Sequence, residues 1–183
     1  MEAKTATQII GGNPTTKRSE ADFYPTPKDV TGAILIFLDL PKNTIIWEPA
    51  CGELDMVVKM QIEGYSVIPT DLKYGHDFLK MPPVECDWII TNPPFSVSDK
   101  FIERCAEHGK PFALLLKSQY WHAKKRYELF KRITPTYVCP LTWRPDFLFK
   151  KHEKRSAPLM DVMWCIWFPP YNQNTTYIPM NKP

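Results

Sequence analysis

Residues 87–96 read DWIITNPPFS and end a predicted strand on an amide, two prolines and an aromatic ring. The apolar and β-branched run 88–91 is typical of a buried strand. A residue that precedes proline is held in extended conformations, so the Asn92 side chain leaves the strand end in a fixed direction. Because neither proline has an N–H group, the backbone here offers carbonyl acceptors with few competing donors. We therefore expect a binding turn at the end of a core strand.

The chain on either side of this stretch alternates between strands and helices. Strands are predicted at 43–52, 65–72, 86–91, 111–118, 136–142 and 161–168. Helices are predicted from Pro27 onward, with Thr26 as N-cap, and at 53–63, 97–108 and 119–132. Such alternation predicts an α/β fold with an open sheet and right-handed crossovers.

Length and composition indicate one globular domain in a reducing compartment. The 183 residues are 44% apolar and 23% charged, and the five cysteines are spaced singly. That spacing argues against a disulfide scaffold and a zinc site, and we expect no metal. The sequence has no run of eighteen apolar residues and no apolar signal core, which favours a cytoplasmic protein without membrane contact. We predict a flexible N-terminal arm at 1–22, a single domain at 23–170 and a C-terminal tail at 171–183.

Polar groups follow three of the predicted strands. Glu48-Pro49-Ala50-Cys51-Gly52 follows the first strand, Asp71 ends the second, and 92–95 follows the third. Ligands of open α/β sheets bind beyond the carboxyl ends of the strands, so these segments are expected to share a site. Asp71 is placed to accept hydrogen bonds from two ribose hydroxyls. A Gly-x-Gly-x-x-Gly cradle is absent, which favours a nucleoside without phosphates over a dinucleotide.

The turn at 92–95 has the groups that prepare an aromatic amine for attack. The Asn92 side-chain oxygen and the Pro93 carbonyl can each accept one hydrogen of an exocyclic amine. Two such bonds draw the nitrogen toward tetrahedral geometry and localise its lone pair for attack on an electrophilic methyl group. Phe95 supplies a face on which a base stacks. Asn-Pro-Pro alone is also typical of a plain turn, and the aromatic residue and neighbouring strand ends favour the catalytic interpretation.

The sequence resembles the S-adenosylmethionine-dependent DNA adenine N6-methyltransferases, specifically the small phage-type enzymes. Asn92-Pro93-Pro94-Phe95 matches their catalytic [DNS]-P-P-[YFW] motif, and 48–52 resembles their methionine-binding motif. Asp71 resembles the ribose-binding acid, 75–79 the segment that contacts the cofactor adenine, and 23–27 the N-terminal cofactor motif. The segment SAPLMDVMWCIWF is similar to the last strand of these proteins.

This resemblance implies a Rossmann-like class I methyltransferase fold, with a mostly parallel sheet and an antiparallel C-terminal strand. It implies S-adenosyl-L-methionine as cofactor and methyl transfer to N6 of adenine in DNA, on a base flipped out of the duplex. The implied catalytic residues are Asn92, Pro93, Pro94 and Phe95. The implied cofactor-binding residues are Tyr24, Thr26, Glu48, Pro49, Ala50, Gly52, Asp71, Asp77, Phe78 and Asn92.

Two features depart from the family pattern. Family members often carry a second glycine or a small residue soon after Gly52, where this chain has Glu53-Leu54-Asp55. Bulk there is expected to crowd the methionine moiety of the cofactor. The connector between the second and third strands is short, so the outer edge strand of the usual seven-stranded sheet is expected to be reduced or missing.

Positive charge is concentrated in residues 100–155, which hold 14 Lys and Arg against 5 Asp and Glu. The asymmetry favours a basic face for DNA as strongly as it favours a solvated helix and loop. The expected phosphate contacts are Lys117, Lys124, Lys125, Arg126, Lys131, Arg132, Lys150, Lys151, Lys154 and Arg155. Alternatives are methylation of RNA or of a protein amide, and a non-catalytic DNA-binding relative. Monomer and homodimer both stay open, as does a host-cytoplasm location for a phage protein.

Overall fold

The computed structural model describes residues 24–147 and 160–183. The predicted arm at 1–22 and much of the predicted loop at 143–160 lie outside the described residues. The helices are α1 (Lys28–Leu38), α2 (Asp55–Ile62), α3 (Ser98–His108) and α4 (Tyr127–Arg132). The strands are β1 (Ile45–Glu48), β2 (Ser66–Pro69), β3 (Trp88–Thr91), β4 (Phe112–Lys117), β5 (Tyr137–Pro140), β6 (Val162–Trp167) and β7 (Thr176–Tyr177).

The strands form one open sheet in the order β2-β1-β3-β4-β6-β5-β7. β6 runs antiparallel to β4 and β5, and the other pairings are parallel. The α/β class and the antiparallel strand near the C-terminus are confirmed. We call the side of the sheet at the C-terminal ends of β1, β2, β3 and β4 the carboxyl edge.

The sheet ends differently on its two sides. On one side β2 is the last strand, and the described chain between β2 and β3 contains a 3-10 turn, Leu72–Tyr74, but no strand. The edge strand that was expected to be reduced or missing is thus not found in the described segment between β2 and β3. On the other side β7, from the predicted tail at 171–183, pairs with β5, and Met180 beyond it is buried. The boundary of the domain at 170 stays a prediction.

Alternation along the strands divides the core between the two faces of the sheet. Ile90 and Leu115 pack with α1 and Trp164 on one face. Ile89 and Phe112 pack with the apolar side of α3 on the other. Both faces are covered, which explains the continuous apolar sequences of β3 and β4.

Two local predictions were wrong. Helix α1 begins at Lys28, and Pro27 occupies the N-cap position with φ −59° and ψ 149°. The Pro27 carbonyl accepts hydrogen bonds from the Val30 and Thr31 N–H groups at 3.1 and 3.2 Å, and no side chain of the described residues caps the helix. Thr26 is therefore not the N-cap, because its hydroxyl is engaged elsewhere.

The predicted helix at 119–132 is broken into two 3-10 turns, Ser118–Trp121 and Lys124–Arg126, followed by α4. Tyr120 is buried in the core, and its carbonyl accepts a 2.9 Å hydrogen bond from Arg126 Nη1. Between the turns Ala123 is extended, which interrupts the helical hydrogen bonds. Among the helices of the described chain, none has the length and apolarity required to cross a membrane.

Candidate active site

The topology brings the three predicted polar strand ends together at the carboxyl edge. Strand β1 lies between β2 and β3, so the strand order reverses between β1 and β3, where ligands of α/β sheets bind. A cavity of about 690 Å³ opens at this point. Of the predicted site residues, Tyr24, Thr26, Glu48, Ala50, Gly52, Asp71, Asn92 and Pro94 line its wall.

Glu48 ends β1 and presents a buried carboxyl group to the cavity. The residue is 1% exposed, and its Oε1 accepts hydrogen bonds from the Thr91 hydroxyl and, at 3.1 Å, from the Ala50 N–H. Oε2 is also buried, and it has no hydrogen-bond partner among the described residues. Burial raises the Glu48 pKa to about 8, against the lowering effect of these two hydrogen bonds. A cationic ligand group at Oε2 would favour the ionised carboxylate.

Asn92 follows β3, and its amide has one engaged end and one unpaired end. Nδ2 donates to the Thr26 hydroxyl oxygen at 3.0 Å and to the Tyr24 carbonyl at 3.2 Å. Oδ1 is buried, and in the described part of the chain it has no hydrogen-bond partner. Since Asn92 lines the cavity, the acceptor predicted from Asn-Pro-Pro is present and unsatisfied.

Asp71 joins the turns that follow β1 and β2. Its Oδ2 accepts a 2.8 Å hydrogen bond from the Gly52 N–H, and its Oδ1 accepts a 2.9 Å bond from the Lys73 N–H. Each carboxylate oxygen can accept two hydrogen bonds and accepts one of these, so both keep a lone pair for hydroxyl donors. The Asp71 carboxylate is thus fixed in the cavity wall and can still accept hydrogen bonds from a ligand.

The turn after Gly52 adopts the shape of a glycine-rich loop without the second glycine. Leu54 has φ +67°, a left-handed conformation that favours glycine, and it occupies the N-cap position of α2. Its N–H donates to the Cys51 carbonyl at 2.7 Å, which closes the turn. The side chain is 36% exposed and does not line the cavity, whereas Glu53, Asp55 and Met56 do.

Phe95 belongs to an aromatic cluster next to the cavity. Its ring centroid lies 5.8 Å from that of Tyr24, whose own ring meets Phe147 at 6.2 Å. Lys117 Nζ, at the end of β4, lies 4.6 Å from the Phe95 ring centroid. Lys117 therefore lies over one face of the Phe95 ring, and Phe95 is the residue that we expect to stack on a base.

Besides Phe95, four predicted residues lie outside the cavity wall. Pro49 and Pro93 are buried next to wall residues. Asp77 Oδ1 accepts from the Leu79 N–H at 3.1 Å, and Oδ2 pairs with Lys80 at 3.0 Å, a hydrogen bond that lowers the Asp77 pKa.

Phe78, the fourth of these residues, is 3% exposed and packs against the Trp47 and Phe101 rings in the core. The connector that holds Asp77 and Phe78 is tied to α3 by Arg104. The Arg104 guanidinium donates to the Phe78 and Met81 carbonyls at 3.4 and 2.7 Å.

Sequence reasoning missed two contributors to the site. Thr91 supplies the hydroxyl that holds Glu48, and a polar residue at the last position of a buried strand was the signal for it. Lys73 orients Asp71 through its backbone N–H, a contact that no side-chain pattern reveals. Cys51 is 6% exposed in the wall, and burial, with Glu48 and Asp71 nearby, raises its pKa to about 11, so the thiol stays protonated.

The predicted basic residues are divided between the two ends of the sheet. Lys117 ends β4 at the carboxyl edge. Arg132 ends α4, next to Ile133, whose carbonyl accepts from the Trp167 indole N–H at 3.1 Å. Trp167 pairs with Phe112 at the start of β4, which places Arg132 at the opposite edge, where it pairs with Glu103 at 2.9 Å.

The other basic residues differ in their engagement. Lys124 is exposed in the turns that leave β4, whereas the Arg126 guanidinium stacks on the Tyr120 ring at 3.7 Å. Lys131 pairs with Glu128 at 3.6 Å. The Lys125 side chain and Lys150, Lys151, Lys154 and Arg155 lie outside the described residues. Within 24–147 and 160–183 no group of three His, Cys, Asp or Glu side chains is arranged to hold a metal ion.

No protein-family model matches the chain. Over 68 residues, 35% of this chain, it is 34% identical to a type II methyltransferase of Mycoplasma genitalium, and it spans 22% of that protein's length. The relative is therefore matched over about a fifth of its length.

Solved structures are similar over most of the chain. A class I S-adenosylmethionine-dependent methyltransferase of Listeria monocytogenes has a TM-score of 0.60 at 16% identity, over 86% of this chain and 65% of that one. A type I restriction-modification methyltransferase subunit of Streptococcus thermophilus has a TM-score of 0.60 at 11% identity, over 85% of this chain and 47% of that one. An RNA methyltransferase of Pyrococcus horikoshii has a TM-score of 0.62 at 12% identity, over 87% of this chain and 94% of that one. The chain has the fold of the class I S-adenosylmethionine-dependent methyltransferases, as the sequence predicted.

Proposed function

We propose that this protein transfers a methyl group from S-adenosyl-L-methionine to N6 of adenine in DNA. The observation that carries the proposal is the buried Oδ1 of Asn92, a residue of the cavity wall, which has no hydrogen-bond partner among the described residues. A buried acceptor without a donor is costly, and an exocyclic amine is a donor that would satisfy it. Oε2 of Glu48, another wall residue, also lacks a partner within the described chain and is a matching acceptor for an ammonium group.

The wall residues supply complementary partners for the cofactor. S-adenosylmethionine would provide a methyl carbon activated by a positively charged sulfur. Glu48 Oε2 would accept from its ammonium group, and the spare lone pairs of Asp71 would accept from its ribose hydroxyls. Tyr24, Thr26 and Ala50 would close the cavity around it. Roles for Asp77 and Phe78 in holding the cofactor adenine remain part of the sequence-based proposal.

The acceptor amine would be held by Asn92 Oδ1 and the Pro93 carbonyl, with Phe95 against the base. The N6 lone pair forms the new C–N bond while the C–S bond breaks, and the nitrogen then releases one proton to solvent. The products are N6-methyladenine and S-adenosylhomocysteine. Positioning accounts for most of the rate because the methyl group is already activated.

DNA is the favoured substrate on three grounds. The motif at 92–95 matches adenine-specific enzymes, the similar Streptococcus subunit is named for restriction-modification, and Lys117 and Lys124 lie toward the carboxyl edge. A duplex hides N6 from the cavity, so the base would be flipped out or taken from a single strand.

The test is incubation with methyl-labelled cofactor and unmodified DNA, RNA or protein. We expect label in DNA as N6-methyladenine. Asn92→Ala should abolish labelling while calorimetry still detects cofactor binding, and Asn43→Ala, in an exposed turn before β1, should label like the original protein. Label in RNA or protein alone would redirect the proposal to those substrates. DNA binding without cofactor binding would favour a non-catalytic relative.

A further inference from the structure

We propose that Thr26 is a positioning residue: together with the Tyr24 carbonyl, its hydroxyl holds the Asn92 amide so that Oδ1 is left as the acceptor for the amine that is methylated. The inference rests on the proposed function, and it assigns to Thr26 a role that acts through Asn92 rather than on the substrate.

The orientation of the Asn92 amide follows from the two hydrogen bonds that its NH₂ group donates. A side-chain amide has two N–H bonds, and the Asn92 Nδ2 donates to two acceptors, the Tyr24 carbonyl at 3.2 Å and the Thr26 hydroxyl oxygen at 3.0 Å. Both N–H groups are thereby engaged away from the substrate. Oδ1 is left as the end without a partner among the described residues.

The reverse orientation is disfavoured by the Tyr24 carbonyl, which can only accept. It would bring Oδ1 against the Tyr24 carbonyl, where two acceptors meet with no hydrogen between them. The Thr26 hydroxyl could donate one bond to Oδ1, so one of the two present bonds would be lost. The NH₂ group would then face the cavity.

The backbone holds both acceptors in place. Tyr24 and Thr26 each precede a proline, Pro25 and Pro27, and that position restricts them to extended conformations. Thr26 is 4% exposed, and Pro27 rather than Thr26 occupies the N-cap position of α1. The hydroxyl is therefore free of the capping role that Thr-Pro at a helix start predicts, and it serves Asn92.

The consequence is a choice between substrates. With Oδ1 as its available end, Asn92 would attract the N–H groups of an amine at the edge of a base and repel a carbonyl oxygen there. With the amide reversed, the preference would reverse as well. The segment 24–26 also lines the cavity, so the segment proposed to contact the cofactor would also orient the Asn92 amide.

The test compares three variants. Thr26→Val keeps the shape and removes the hydroxyl, Thr26→Ser keeps the hydroxyl, and Thr31→Val is the matched control. Thr31 is buried in α1 outside the cavity wall, and within the described chain its hydroxyl has no hydrogen-bond partner. We expect Thr26→Val to lower kcat about tenfold, with a change of less than about threefold in the cofactor Kd. Thr26→Ser should recover most of the turnover, and Thr31→Val should behave like the original protein.

A second readout does not depend on activity. Solvent exchange of the Asn92 side-chain NH₂ protons, assigned by their loss in Asn92→Ala, should be slow in the original protein and faster in Thr26→Val. Equal exchange and equal kcat in the original protein and Thr26→Val would overturn the proposal. If the original protein methylates no substrate, the proposed function fails, and the exchange rates still decide whether Thr26 orients the amide.

Discussion

The Gly52 backbone N–H donates a 2.8 Å hydrogen bond to Asp71 Oδ2, and this bond joins the ends of β1 and β2 at the cavity. Oδ1 of the same carboxylate accepts from the Lys73 N–H at 2.9 Å. Two backbone donors therefore fix the plane of the carboxylate before any ligand arrives. This fixed plane makes Asp71 both a structural link and a candidate ribose acceptor.

Asp71→Asn should raise the cofactor Kd, and this rise should not be explained by its loss of folding stability. An amide keeps one acceptor oxygen and replaces the other by an NH₂ group, which cannot accept from Gly52 or Lys73 and cannot accept from a ribose hydroxyl. We expect the cofactor Kd by calorimetry to rise about tenfold or more.

Asp87→Asn is the matched control for this change. Asp87 Oδ2 accepts from the Ile45 N–H at 2.7 Å, at the start of β1 and away from the cavity. The Asp87→Asn variant should lose about as much stability as Asp71→Asn, measured by the melting temperature. Its cofactor Kd should stay close to that of the original protein. Equal changes of Kd in Asp71→Asn and Asp87→Asn would contradict a binding role for Asp71.

Leu54→Gly should stabilise the protein. A left-handed backbone costs a non-glycine residue about 1–2 kcal/mol, and the added freedom of glycine in the unfolded chain returns about 0.5–1 kcal/mol of that. We therefore expect the free energy of unfolding in urea to rise by roughly 0.5–1 kcal/mol. Because the Leu54 side chain does not line the cavity, the cofactor Kd should not worsen.

Val58→Gly tests whether this gain is specific to the left-handed position. Val58 is 44% exposed within α2, where glycine costs about 0.5–1 kcal/mol. It should therefore destabilise the protein. A loss of stability in both variants would mean that the conformation of Leu54 carries little strain.

The strand ends could be predicted from sequence because their signals are local. Apolar runs that stop at Glu48, Asp71 and Asn92 identify the carboxyl edge without knowledge of the packing. The partners of the Asn92 amide could not be predicted, since Thr26 and Tyr24 lie 66 and 68 residues away in the chain. The local pattern Thr26-Pro27 predicts that Thr26 caps a helix. In the structure the Thr26 hydroxyl accepts a hydrogen bond from the distant Asn92 instead.

Packing also decided features that sequence patterns left open. Phe78 follows Asp77 in a connector, and its burial depends on rings that Trp47 and Phe101 bring from other elements. Arg126 has the sequence context of a phosphate contact, yet its guanidinium lies on the Tyr120 ring. A long cationic side chain can cover an aromatic face as readily as it can reach a phosphate, and the sequence alone does not distinguish the two.

Glu48→Gln should stabilise the protein above neutral pH. Burial raises the Glu48 pKa from 4.5 to about 8, so between these values the folded protein keeps a proton that the unfolded chain has lost. Unfolding then releases a proton, and the free energy of unfolding falls as the pH rises through this window. Glutamine does not titrate. The melting temperature of the variant minus that of the original protein should therefore increase between about pH 5 and pH 8.

The same substitution should impair cofactor binding. Glutamine cannot supply the carboxylate that we expect to pair with an ammonium group, so the Kd should rise about tenfold or more. In the original protein the affinity should increase from about pH 6 to pH 8 as Glu48 loses its proton. An affinity that is independent of pH in the original protein, or unchanged in Glu48→Gln, would contradict this role.

Lys124→Gln should weaken DNA binding, whereas Arg132→Gln should not. Each removes one positive charge, but Lys124 is exposed in the turns that leave the carboxyl edge, and Arg132 pairs with Glu103 at the opposite edge. A phosphate contact contributes about one unit to the slope of log K against log salt. Titrations of a DNA duplex between about 50 and 200 mM salt should therefore give a slope smaller by about one unit for Lys124→Gln alone. Equal slopes in the two variants would mean that DNA does not approach the protein across the carboxyl edge.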